Sequence, residues 1–335
     1  MMQLDQPLTI GNVKLRNRAL LAPMSGVSDL PFRELAWKFG AGMVVSEMVA
    51  SESFVEGEAE MHLKARSGNL PTHMVQLIGR EAQWMGRAAK MIEAQGADII
   101  DINMGCPARK VTTGYSGSAL MRDLDHALTL IDAVVESVEV PVTLKMRLGW
   151  DHGSINAAEL AMRAEDAGVQ MITVHGRTRC QFYKGAADWG AIKSVSDAVS
   201  IPVIVNGDII DGNSAKRAIE QSGAQAVMVG RASYGAPWLA GEIANGEMVF
   251  AENLTGFQTT IIEHYEALCQ LYGKFLGVRH ARKHLGWYMD KIASGPEFAA
   301  LRLQILRAEE PAEVILLIGE IFRKSDGLPN KSIAA

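Results

Sequence analysis

Glu93–Asn103 reads EAQGADIIDIN, a helical pattern that stops at a glycine and passes at once into a short β-branched run. A glycine just past the last helical turn supplies a left-handed cap, after which the chain can extend into a strand. The same joint recurs in WKFGAGMVVSEM (37–48), EDAGVQMITVH (165–175) and EQSGAQAVMVG (220–230). Between the joints lie stretches such as REAQWMGRAAKMIEAQG (80–96) and INAAELAMRAEDAG (155–168), whose apolar residues return at helical spacing.

The strand-like runs are RALLAP (18–23), MVVSEM (43–48), HMVQLI (73–78), DIIDIN (98–103), VTLKMR (142–147), QMITVH (170–175), IPVIVN (201–206) and AVMVGR (226–231). Strands alternating with helices imply a parallel sheet. Eight such units predict an α/β fold of the (β/α)₈ TIM-barrel type. An open doubly wound sheet is the competitor, but it calls for a glycine-rich dinucleotide turn after the first strand, and APMSG (22–26) is not GxGxxG. The barrel is expected over residues 1–245. From Leu254 the chain reads as helices only, which predicts a small helical bundle over 250–325 and a frayed tail over 326–335.

The chain has 335 residues, 48% hydrophobic and 21% charged, the balance of an ordinary globular protein. Cys106, Cys180 and Cys269 are odd in number and far apart, so neither a disulfide framework nor a zinc site is expected. The N-terminus lacks the apolar core of a signal peptide, and no run reaches the ~20 residues of a membrane span. A reducing, cytoplasmic location follows as an expectation, with no obligate protein partner implied. The net charge of −5 argues mildly against a polyanionic partner. Locally the balance reverses: Leu271–Lys291 holds Lys274, Arg279, Arg282, Lys283 and Lys291 against Asp290 alone. Arg279, Arg282 and Lys283 stand at i, i+3 and i+4, so on a helix they share a face.

Chemistry in such a barrel sits at the C-terminal ends of the strands. There the sequence places Met24, Glu47, Gln76, Asn103 with Cys106, Lys145 with Arg147, His175 with Arg177, Asn206–Asp208, and Gly230 with Arg231. Hydrogen-bonding groups at nearly every strand end describe a lined pocket. Glycines after the seventh and eighth strands suit an anion, the usual phosphate position of these barrels. Lys145 lies inside an apolar strand. It can pack its stem, form a Schiff base as in aldolases, or stay cationic beside an electron-rich ring such as a reduced flavin. His175 can equally satisfy a backbone partner. Cys106, clamped between Gly105 and Pro107, is either a packed thiol or a presented, reactive one.

APM (22–24), QLIGR (76–80), NMGCPARKV (103–111), KMRLGW (145–150), HGRTR (175–179), NGDI (206–209), GRA (230–232) and the basic stretch Arg279, Arg282, Lys283, His284, Trp287, Tyr288 occur in this order. With them the chain resembles the tRNA-dihydrouridine synthases, most of all the bacterial B-type branch, over nearly its whole length. The resemblance implies an FMN-bearing barrel that reduces the C5=C6 bond of selected tRNA uridines with NADPH. It implies that Cys106 is the proton donor. The flavin-holding positions match Pro23, Met24, Gln76, Lys145, His175, Asn206, Gly207, Asp208, Gly230 and Arg231. Asn103, Arg147 and Arg177 match positions near the uracil or its phosphate; Arg109 and Lys110, beside the thiol, should face phosphates rather than sulfur.

The chemistry is consistent with those roles. Hydride from flavin N5 adds at C6 and leaves an enolate, which needs a proton at C5 from the opposite face. A thiol with a pKa near ~8.5 is mostly protonated at neutral pH and can give that proton. Two rivals stay open. One is a flavin barrel acting on a small enone or free pyrimidine, similar to old yellow enzyme or dihydroorotate dehydrogenase. The other is an RNA-binding protein without catalysis.

Overall fold

The computed structural model describes residues 3–247, 249 and 254–326. A hairpin of β1 (Leu8–Ile10) and β2 (Val13–Leu15) precedes eight strands: β3 (Ala19–Leu21), β4 (Met43–Ala50), β5 (Met74–Ile78), β6 (Ile99–Met104), β7 (Val142–Arg147), β8 (Met171–His175), β9 (Val203–Asn206) and β10 (Ala226–Val229). The eight pair in parallel, each with the next, and β10 returns to β3 to close the barrel. Each falls within or overlaps one of the eight expected runs. The glycines that announced them, Gly40, Gly96, Gly168 and Gly223, have φ of +105, +90, +102 and +66°. Glycine adopts such positive φ values without strain.

Alternation along each strand sorts the barrel interior by chemistry. Near the N-terminal ends, Leu20, Met43, Val45, Met74, Ile99, Met171, Ile204 and Ala226 form one buried apolar cluster. Leu8, Ile10 and Leu15 of the hairpin join it. A Cβ on Gly11, at the hairpin turn, would collide with Gln170 and Pro141, just ahead of β8 and β7. The hairpin therefore closes the N-terminal end of the barrel, each buried aliphatic chain contributing roughly 1.5–3 kcal/mol. Two residues further along the strands the inward positions turn polar. The register sets Gln76 beside Asp101, Asn103 beside Lys145, Arg147 beside His175, and His175 beside Asn206. One end is a plug and the other a polar cup.

The chain divides into two compact units, 1–232 with 239–246, and 233–238 with 247 onward. The boundary differs from expectation at 233–238, which joins the helical unit because its aromatics find partners there. Tyr234 stacks on Trp287 at 4.2 Å, and Trp238 meets Phe257 edge-on at 5.0 Å. The helices of this unit span Leu254–Tyr272, Lys274–Ile292, Ala299–Arg307 and Pro311–Asp326. Asp326 thus ends a helix, and the rest of the expected tail, 327–335, lies outside the described residues. Among the described residues no helix is long and apolar enough to cross a membrane.

Inside the helical unit His264 and His284 pack edge to face at 4.7 Å, and His264 Nδ1 lies 2.8 Å from the Tyr288 hydroxyl. Burial, with Lys283 nearby, drives the His264 pKa down to about 3, and burial drives His284 well below the usual histidine range. Both rings are therefore neutral in the fold, while an unfolded chain protonates them below about pH 6.5. Their contribution is complete above that pH and is lost as the pH falls, by up to about 1.4 kcal/mol per pH unit for each ring. Hydrogen exchange in the helices Leu254–Tyr272 and Lys274–Ile292, corrected for intrinsic rates, should show weaker protection at pH 5 than at pH 7.5. Equal protection at the two values would remove the argument.

Candidate active site at the barrel mouth

Cys106 stands two residues past the end of β6, in a turn held from both sides. The Asn103 side-chain oxygen accepts the backbone N–H of Gly105 and of Cys106 at 3.1 and 2.9 Å. The Asn103 amide donates to Gln76 Oε1 at 2.7 Å. Gln76 donates to Asp101 at 2.6 Å, and Asp101 also accepts the Thr143 hydroxyl at 2.6 Å. The turn that presents the thiol is thus anchored to a buried chain of polar groups across β5, β6 and β7, where leaving any one unsatisfied is costly. From the other side Arg147 Nε donates to Gly105 O at 2.8 Å, while its Nη1 holds the carbonyls of Thr178 and Phe182 at 2.9 and 2.8 Å.

The thiol is more than half shielded from solvent. Burial raises its pKa, against smaller lowering effects from the Ala108 backbone, Arg147 and Lys145. The cations that act on the sulfur are therefore Arg147 and Lys145, not the adjacent Arg109 and Lys110. Those two begin a short helix, Arg109–Thr112, and are exposed, with no side-chain hydrogen bond or ion pair among the described residues. The thiol stays protonated well past neutral pH.

Lys145 projects into the cup, where its ammonium donates to Asn206 Oδ1 at 3.1 Å; Asn206 in turn donates to Met228 O at 2.8 Å. Burial lowers the Lys145 pKa to about 8, with Arg147 assisting and Asp101 and Cys106 opposing. The same desolvation raises Asp101 to about 6, against its hydrogen bonds from Gln76 and Thr143 and the charge of Lys145. At neutral pH Lys145 is mostly an ammonium. His175 is neutral, its pKa held far down by burial and then by Arg147, Lys145, Arg177 and Arg231.

Arg177 is 2% exposed and grips Asp208 with two bonds, Nη1–Oδ1 at 2.9 Å and Nη2–Oδ2 at 2.6 Å. Its Nε and Nη2 also donate to Lys184 O and Gly185 O, and Nη1 lies 3.3 Å from His175 Nε2. Asp208, at φ +54°, also accepts Ala187 N–H at 2.7 Å and faces Arg231 at 3.4 Å. Burial works to raise the Asp208 pKa, but the hydrogen bonds from Arg177 and Ala187 and the two positive charges outweigh it, and the net shift is downward. Gly207 has φ +110°, and a Cβ there would press on His175 and Ala187. At Gly230 a Cβ would meet only Ala22, at 3.9 Å, so that side of the mouth is open. Pro23 and Met24 lie in the turn after β3, where Ser28 holds the Met24 N–H at 2.8 Å.

The barrel thus gathers Gln76, Asn103, Cys106, Lys145, Arg147, His175, Arg177, Asn206, Gly207, Asp208 and Arg231 into one hydrogen-bonded cup. Arg279, Arg282 and Lys283 belong to the other unit. Arg279 is exposed there, with its guanidinium 5.6 Å from the Phe275 ring, while Arg282 and Lys283 are half-buried. Two participants escaped the sequence reading. Asp101 is not among the residues that the sequence singles out, although its alternation with Asn103 marks it as inward-facing. Tyr183 sits in the loop after β8, 4.7 Å from the Arg231 guanidinium, 5.5 Å from that of Arg147 and 6.4 Å from the His175 ring. Nothing in its local sequence signals that position.

Residues 20–321 match the family described as Dihydrouridine synthase (Dus). A probable tRNA-dihydrouridine synthase of Rhizobium leguminosarum bv. phaseoli is 53% identical over 305 residues, covering 90% of this chain and 94% of that protein. A tRNA-dihydrouridine synthase B of Pseudomonas putida is 45% identical over 296 residues, covering 87% and 88%. Among solved structures, histamine dehydrogenase from Rhizobium sp. 4-9 superposes with a TM-score of 0.56 at 14% identity, over 78% of this chain and 50% of that one, a likeness of fold. The chain belongs to the dihydrouridine synthase family.

Proposed function

We propose that this protein reduces the C5=C6 bond of uridines in tRNA to dihydrouridine, with FMN held in the barrel cup, NADPH as the electron donor and the cytoplasm as its location. The observation that carries the mechanism is the placement of Cys106: a thiol kept protonated by burial, in a turn locked by Asn103 and Arg147. Such a group can act as a general acid at neutral pH. The cup also fits FMN. Lys145 has one partner for three donors, the Thr173 hydroxyl is buried without a partner, Gly230 leaves room, and Arg231 is 48% exposed at the mouth. Bound there, the flavin supplies the hydride for C6.

The chain's own residues then divide the remaining work. Lys145, cationic in a desolvated cup, stabilises negative charge beside the flavin ring. Arg231 and the backbone N–H groups at Gly207 and Gly230 would hold the phosphate, while Met24 and Pro23 in the turn after β3 would pack against the flavin. Neutral His175 and Asn206 donate without adding charge. Asn103 and Arg147 fix the acid, and Arg147, its own donors engaged on carbonyls, meets the base through its remaining edge and Tyr183. Arg177 acts as a positioning residue, holding Asp208 and the loop over His175. Arg109 and Lys110, free beside the thiol, meet RNA phosphates.

The test is direct. Purified protein should be yellow and, with NADPH and unmodified tRNA, should form dihydrouridine detectable by mass spectrometry. Colour and NADPH oxidation with a small enone but no dihydrouridine would favour the small-molecule reading, and a colourless protein that binds tRNA the non-catalytic one. Lys145→Met should slow flavin reduction by NADPH and weaken FMN retention. A borohydride-trapped adduct on Lys145 would favour a Schiff base instead. Replacing Arg279, Arg282 and Lys283 together by Ala should weaken tRNA binding and flatten its salt dependence by roughly 0.7–0.9 per lost phosphate contact. Superimposable salt series for the triple variant and the wild type would reduce that stripe to a solvated face.

A further inference from the structure

The barrel rim carries an arrangement that the chemistry above leaves unused. Two guanidiniums lie over the indole of Trp150, with Arg122 Cζ 4.8 Å and Arg179 Cζ 4.6 Å from the ring centroid. The three residues come from different segments, each tied in place without using guanidinium charge, apart from one hydrogen bond. Arg122 ends the turn Gly117–Arg122, which is anchored where the Ser118 N–H and hydroxyl donate to Cys106 O at 3.1 and 2.8 Å. The loop after β8 is zipped to the loop after β7 by Arg179 N–H to Gly149 O at 3.0 Å and Cys180 N–H to Trp150 O at 2.8 Å. The exception is Arg179 Nη2, which donates to Thr112 Oγ1 at 3.1 Å on the short helix that follows Cys106.

Among the described residues neither guanidinium pairs with a carboxylate. Asp151, the nearest acid in sequence to Trp150, turns its Oδ1 back onto Gly153 N–H and the Ser154 hydroxyl. The indole face attracts each cation, by roughly 0.5–1 kcal/mol at a partly exposed site. Two like charges beside one ring repel each other, and a bound anion relieves that repulsion. A guanidinium over a ring face can still offer N–H donors to phosphate oxygens, as Arg122 does with its whole fork and Arg179 with what its bond to Thr112 leaves.

We propose that Arg122, Trp150 and Arg179 form a phosphodiester clasp for the RNA strand flanking the target uridine. The proposal rests on the tRNA-reductase reading. Because the clasp is joined to the Cys106 turn through Ser118 and Thr112, a phosphate held there sets the register of the strand against the thiol. Its effect belongs in substrate binding rather than in turnover.

The test uses the full-length flavoprotein and unmodified tRNA transcript. Arg122→Gln is the first variant, since Arg122 is exposed and its side chain makes no hydrogen bond among the described residues, and Arg179→Gln is the second. For each, the KM for tRNA is expected to rise about 3–10-fold, with kcat held, and the salt slope of binding to become shallower by roughly 0.7–0.9. Arg122→Lys should restore the slope but only part of the affinity, because ammonium lacks the flat, stacked fork. Unchanged tRNA KM and salt slope in both Gln variants would overturn the clasp. So would a rise in the KM for NADPH with that for tRNA unchanged, which would assign the site to the dinucleotide's phosphates. Filter binding of tRNA is read separately from dihydrouridine formation. A wild type that forms no dihydrouridine, with the slope change still present, would remove the reductase reading and leave the clasp standing.

Discussion

Cys106→Ala is expected to lower dihydrouridine formation by about 10²–10⁴-fold, the usual cost of losing a general acid, while FMN binding and NADPH oxidation persist. The asymmetry follows from the order of the steps. The proton of the thiol is needed only after the hydride has left the flavin. The turn itself should survive, because it is held through the backbone N–H groups of Gly105 and Cys106 and the carbonyls of Gly105 and Cys106, none of which the substitution removes. The measurement is a single-turnover experiment: flavin reduced anaerobically, tRNA added, dihydrouridine quantified with time. A mutant that completes the reaction at the wild-type rate would take the acid role away from Cys106. Burial raises the thiol pKa, so ionisation of the thiol should limit activity only at a higher pH than an exposed thiol allows, beyond the fall expected as Lys145 loses its charge near pH 8.

The second large effect is on stability. Asp208→Asn should destabilise the barrel by about 3 kcal/mol, the low end for breaking a buried pair, because Asp208 itself is 31% exposed. Arg177 has almost no exposure and would retain its charge with one neutral acceptor in place of a carboxylate. The Asn amide also turns donors toward Arg177 or the Ala187 N–H. Asn tolerates the left-handed backbone at this position, so the loss can be assigned to charge rather than to strain. For a unit of this size the melting temperature should fall by roughly 6–12 °C, as read by calorimetry. Adding Arg177→Met to Asp208→Asn should recover much of the loss, since the uncompensated charge is then gone. An unchanged melting temperature in the single variant would show that solvent already screens the pair.

Much of the architecture was legible because it is built from local signals. A glycine at a positive φ ends a helix wherever it falls, and β-branched runs after it pair as strands. The eight runs and the change to pure helix after residue 245 needed no knowledge of distant contacts. The N-terminal hairpin was missed although LTIGNVKL carries a two-residue Gly-Asn turn between alternating runs, a signal of the same local kind. The segment 233–238 was misplaced for a different reason: its partners, Trp287 and Phe257, lie far along the chain.

For the site, the sequence alone determined which groups stand at the strand ends, since strand period and direction decide which side chains point into the cup. Cys106, Lys145, Asn103 and Asn206 were legible on those grounds. The tertiary structure decided what each group meets. Arg177, expected near the substrate, is buried on Asp208. Arg109 and Lys110, next to the thiol in sequence, leave its ionisation to Arg147 and Lys145. Tyr183 and the Arg122–Trp150–Arg179 stack exist only because loops from successive strands converge on the rim. Burial and charge act through space at a few ångströms, and barrel closure brings together residues separated by tens of positions, so no local pattern encodes them.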